Sequence, residues 1–126
     1  MKKVTGLGGV FFKVNDPGKT RDWYRTHLGI ESETWGAQFH WRDHDNPESV
    51  GYSAWSPFKK DSTYMDPSPN SFMINYRVEN LPELLKLLKD EGVEQIGEME
   101  DTEFGKFAWI MDPDKNKVEL WEPPKS

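Results

Sequence analysis

The chain repeats itself, and no other feature limits its fold as much. Segment 10–28, VFFKVNDPGKTRDWYRTHL, has a counterpart in segment 74–89, INYRVENLPELLKLLK. Both begin with apolar residues at alternate positions, Val10, Phe12 and Val14 against Ile74, Tyr76 and Val78, the period of a strand with one buried face. Each strand leads to an Asx residue able to cap a helix, Asp16 or Asn80. Pro17 suits the first helical position, and Asn80 with Glu83 suits a capping box. Apolar stripes follow, Trp23, Tyr24 and Leu28 in one copy, Leu81, Leu84, Leu85 and Leu88 in the other, and each stops at a glycine, Gly29 or Gly92. A short strand is expected next, over 31–35 and 94–98, then a loop glycine, Gly36 or Gly105. AQFHWRD (37–43) then aligns with KFAWIMD (106–112), and SAWSP (53–57) with ELWEP (119–123), across a hairpin loop that is longer in the first copy.

This order predicts an α+β fold built from two tandem βαβββ modules, 4–57 and 72–124, within one domain spanning 1–126. The polar, proline-bearing stretch 58–71 (FKKDSTYMDPSPNS) reads as a linker crossing between them. A sheet with one helix over one face leaves the other face bare. Two such modules can bury their bare faces against each other, and the space between is a natural ligand cavity.

Composition narrows the function classes. The 126 residues carry 16 Lys+Arg against 22 Asp+Glu, a net charge of −6, which argues against binding a phosphate backbone. Cysteine is absent, so disulfides, thiolate metal sites and cysteine nucleophiles are excluded. No apolar run reaches the length of a membrane span, and the basic Met1-Lys2-Lys3 start is not followed by a signal-peptide core. The expectation is a cytoplasmic protein with no nucleic-acid or membrane partner.

GGVFFKVNDPGKTRDWYRTHLGI (8–30) resembles the opening of a module of the vicinal oxygen chelate superfamily, the glyoxalase, bleomycin-resistance and dioxygenase proteins. GKFAWIMDPDKNKVELWEP (105–123) resembles its closing hairpin, with Lys115 where that family usually has glycine. The resemblance implies a glyoxalase-like, cup-shaped mixed sheet of eight strands. It also implies a divalent metal held by side chains from the first and last strands of each module. Those positions fall on Gly9, Met73, Ser53 and Glu119, of which only Glu119 is a strong oxygen ligand. The expectation is therefore no metal and no cofactor.

Strand alternation nominates the cavity wall. With Val10, Phe12 and Val14 toward the helix, Phe11 and Lys13 face the cup, as do Asn75 and Arg77 in the second copy. Gln38, His40 and Arg42 face inward from the third strand, with Trp109 among their counterparts, and Ser53, Trp55, Glu119 and Trp121 complete the wall. Each tryptophan also reads as structural filling between the sheets, and each arginine as a solvated sheet end. Glu119 could pair with Arg77, Lys13 or His40, or act as a general base; His40 is the other acid–base candidate. The leading reading is a metal-free protein that binds a small aromatic or cationic molecule, and the resemblance implies a homodimer. The alternative is a lyase, isomerase or dioxygenase of the same superfamily, working without metal through Glu119 or His40, or with metal on displaced ligands.

Overall fold

The computed structural model describes residues 3–125; Met1 and Lys2 of the basic start lie outside the described residues. The first half runs β1 (Val4–Val14), α1 (Pro17–Leu28), β2 (Ala37–Arg42) and β3 (Val50–Lys59). The second runs β4 (Phe72–Val78), α2 (Leu81–Asp90), β5 (Glu100–Thr102), β6 (Gly105–Met111) and β7 (Lys117–Glu122). The helix signals act as the sequence leads one to expect. Asp16 accepts the Lys19 backbone N–H at 3.1 Å, Pro17 opens α1, and Gly29 closes it at φ 69°. Asn80 accepts the Glu83 N–H at 3.2 Å, and Gly92 follows α2 at φ 80°. No helix among the described residues is long and apolar enough to cross a membrane.

All the strands form one mixed sheet in the order β2-β3-β1-β4-β7-β6-β5. β1 and β4 pair antiparallel at its centre, and each has a parallel neighbour outside it, β3 beside β1 and β7 beside β4. Among the described residues the sheet has seven strands, not the eight expected. Residues 31–35 do not form a strand because Glu33 and Gly36 hydrogen-bond to each other around a tight turn at Thr34-Trp35. In the second half the expected strand at 94–98 is reduced to a bridge between Gln95 and Ile110, and the strand proper starts later, at Glu100. Lys115, in the turn between β6 and β7, takes a left-handed φ of 65°, the conformation that favours glycine.

The two helices are seated very differently. α2 buries Leu81 and Leu84 against Val78, Ala108 and Leu120. α1 has no buried residue; Tyr24 packs on Phe12 and Trp55, whereas Trp23 and Leu28 stay exposed. On the sheet face opposite α2, a second cluster gathers Met65, Met73 and Trp109 with Phe11, Phe58, Ile96 and Phe107. Met65 belongs to the segment between β3 and β4, so that segment does more than cross between the halves. It turns a fully buried methionine into the bare face of the sheet.

Candidate functional site

The site is organised by Glu119, a carboxylate from β7 that is only 3% exposed. β4 runs parallel to β7 with Asn75 directly beside Glu119, and β6 sets Trp109 opposite it. The Asn75 amide Nδ2 donates to Oε1 at 2.5 Å, and the Trp109 indole N–H donates to Oε2 at 2.9 Å. The Tyr64 hydroxyl, from the segment between β3 and β4, donates to the same Oε2. Burial, reinforced by the neighbouring Glu119 charge, holds the Tyr64 phenol far above its ordinary range, so it remains a donor. Lys117 locks this segment down: its ammonium donates to the Tyr64 carbonyl at 2.8 Å and lies over the Tyr64 and Trp109 rings. Glu119 is thus satisfied by three neutral donors, and the expected pairing with Arg77, Lys13 or His40 does not occur.

The hydrogen bond to Glu119 also fixes the Asn75 amide. A flipped amide would set its oxygen against the carboxylate, so Oδ1 must point the other way. There it is buried and has no hydrogen-bond partner. The space it enters exists because residue 8 is glycine, where a Cβ would collide with the Asn75 amide and crowd Trp121. Beside it opens a cavity of about 140 Å³ lined by Gly8, Phe11, Tyr52, Ala54, Asn75, Phe104, Phe107, Glu119 and Trp121. Its wall is a chain of rings: Tyr52 lies 5.4 Å from Trp121, and Trp121 stacks on Phe107 at 6.0 Å. The Trp121 indole N–H is spent on the Phe104 carbonyl, which leaves the ring as an apolar surface.

Of the residues nominated from sequence, Phe11, Asn75, Glu119 and Trp121 come together at this cavity, and Trp109 lies just beneath it on Glu119. Arg77 stands at its rim, 5.0 Å from the ring centroids of both Trp121 and Trp41. His40 shares the face but is exposed, its ring 6.1 Å from Tyr52. Gln38 is exposed on the outermost strand, and Arg42 is tied to its own hairpin through the Pro47 carbonyl at 2.9 Å. Lys13 is paired beside Phe58, away from the cavity.

Ser53 and Trp55 lie on the opposite face, contrary to the expected wall. Trp55 packs under α1 against Phe12 and Tyr24, and Ser53 bridges the Trp41 indole N–H and the Leu7 carbonyl. The cause is a slip of one residue in the alignment of the hairpins. His40 pairs with Tyr52 where Trp109 pairs with Glu119, so the counterpart of Glu119 is Tyr52, not Ser53. A shift of one turns every side chain of a strand over. Tyr52 and Ala54 were therefore missed. Tyr64 and Met65 were missed because they sit in a polar segment, although an aromatic beside a methionine there is itself a burial signal.

The metal that the resembling fold implies does not fit these residues. Gly9 has no side chain, Met73 offers a thioether, and Tyr52 is the counterpart of Glu119. Glu119 itself is surrounded by N–H and O–H donors, whose hydrogens occupy the directions a cation would need. Among the described residues no three His, Cys, Asp or Glu side chains converge.

No family model and no curated protein matches the sequence. Solved structures match its fold. Methylmalonyl-CoA epimerase from Mycobacterium tuberculosis is 21% identical with a TM-score of 0.65, over 99% of this chain and 92% of that one. Streptomyces coelicolor methylmalonyl-CoA epimerase in complex with 2-nitronate-propionyl-CoA is 16% identical with a TM-score of 0.70, over 97% and 99%. The Mn(II)-bound glyoxalase from Novosphingobium aromaticivorans is 15% identical with a TM-score of 0.63, over 97% of this chain and 40% of that one. Epimerase and glyoxalase are both vicinal oxygen chelate proteins, and the likeness extends to the fold alone.

Proposed function

We propose that this vicinal-oxygen-chelate fold serves here as a metal-free binding protein for a small aromatic molecule carrying an N–H or O–H donor. One observation carries the reading: the buried Asn75 Oδ1 has nothing to accept from, packs against Gly8, and belongs to a residue that lines an aromatic-walled cavity. An unsatisfied buried acceptor costs about 1–3 kcal/mol, which a ligand donor recovers on binding. A cavity of about 140 Å³ suits a single ring; apolar holes of roughly 150 Å³ accept benzene. The cavity is best read as the seam between two copies of one βαβββ unit. Gly36 and Gly105 support that reading, since both adopt positive φ and at both a Cβ would collide with a carbonyl, of Trp55 and Glu122, that the hairpin pairings make equivalent.

A catalytic role for Glu119 is less well supported, because both of its oxygens already accept hydrogen bonds and neither faces the cavity free. The test is a thermal-shift comparison of aniline with toluene, rings of similar size with and without a donor. Aniline should stabilise the native state by mass action and toluene should do so less. Asn75→Leu should erase the difference, about tenfold in affinity. Equal stabilisation by both rings in the wild type would refute the role of Asn75.

A further inference from the structure

Among the described residues Arg77 is a cation without a counterion. It is half-buried, and burial pulls its guanidinium below the ordinary arginine value. No carboxylate among the described residues pairs with it, and no hydrogen bond engages its N–H groups. Its contacts are with rings: the guanidinium carbon lies 5.0 Å from the centroids of Trp41 and Trp121. Aromatic faces steady the charge of a guanidinium but accept none of its five edge donors. Those donors form a rigid fork whose natural complement is a carboxylate.

The position of this fork relates it to the cavity. Trp121 and Tyr52 line the cavity, their rings 5.4 Å apart, and the Arg77 guanidinium lies over the Trp121 ring. Asn75 and Arg77 are alternate residues of β4, so they point to the same face with α-carbons roughly 7 Å apart. Side chains so placed on one face, with the Trp121 ring beside both, offer an acceptor and a cation to the two ends of one aromatic ring.

We infer that the ligand is an aromatic carboxylate bearing an amino or hydroxyl group, its donor on Asn75 Oδ1 and its carboxylate on Arg77. This rests on the proposed reading of the cavity as a ligand pocket and narrows it: an anionic ring is selected and a cationic one rejected.

Isothermal titration with three probes, 4-aminobenzoate, 4-aminobenzamide and aniline, tests it. The benzoate should bind at least about tenfold more tightly than the benzamide, the range of a charge-assisted hydrogen bond. Arg77→Gln should remove that preference, so that the benzoate binds no more tightly than the benzamide. Arg77→Lys, which keeps the charge but loses the fork, should retain only part of it. Benzoate and benzamide binding equally to the wild type, or a preference that survives Arg77→Gln, would overturn the anion site while the pocket reading stands. If none of the three probes binds, the pocket reading fails and this inference fails with it.

Discussion

At Glu119 three donors from three segments meet one carboxylate, and the orientation of Asn75 depends on that meeting. In Glu119→Gln, Tyr64 and Trp109 can still donate to the amide oxygen, so the new NH2 faces Asn75. The Asn75 amide must then turn over, presenting Nδ2 to the cavity in place of Oδ1. The expected outcome is a loss of about 1–2 kcal/mol in chemical denaturation and a reversal of ligand preference, from rings with a donor to rings with an acceptor such as benzaldehyde. Tyr64 makes a separate prediction. Its folded-state value lies above the ordinary 10.0, so the folded chain keeps a proton that the unfolded chain gives up. Its contribution is therefore complete below about pH 10 and is lost as the pH rises further. Denaturation profiles should show a flatter alkaline limb for Tyr64→Phe than for the wild type. Lys117, held below its usual value by burial, acts in the opposite sense but is common to both proteins. Strand alternation is local, and it put Glu119 and Asn75 on one face of the sheet, where they are hydrogen-bonded neighbours. It could not supply Tyr64, which lies 55 residues away from Glu119 and reaches it only through the fold.

The elements were legible where caps and periodicity agree. Both helices, both left-handed glycines after them and the β6–β7 hairpin follow from residues adjacent in sequence. Pairing across a loop was less legible. The loop 43–49 between β2 and β3 sets Arg42 opposite Val50, and a loop of one residue more or less would have turned Trp55 inward. Helical stripes also overstate burial, since they show which face is apolar without showing what covers it. Leu84 is 3% exposed in the core under α2, while Leu28 in the stripe of α1 is 61% exposed. Leu84→Ala should cost about 3 kcal/mol, and Leu28→Ala no more than about 0.5 kcal/mol, both read from denaturant midpoints at unchanged slope. Comparable losses would mean that α1 is packed as firmly as α2.

The whole molecule is a single sheet whose bare face is partly filled by its own connecting segment. Met65 and Tyr64 occupy what two facing halves would otherwise leave open, and the remaining space is sized for one ring. The manganese-bound glyoxalase shares the fold, whereas here the carboxylate of Glu119 is surrounded by N–H and O–H donors. The central claim, a ligand pocket that works without metal, is tested most directly by titrating aniline into chelator-treated protein and following tryptophan fluorescence. Trp121 lines the cavity, so binding should quench its emission along a saturable single-site curve that is the same before and after metal removal. Quenching that vanishes on chelation and returns with a divalent ion would contradict the account.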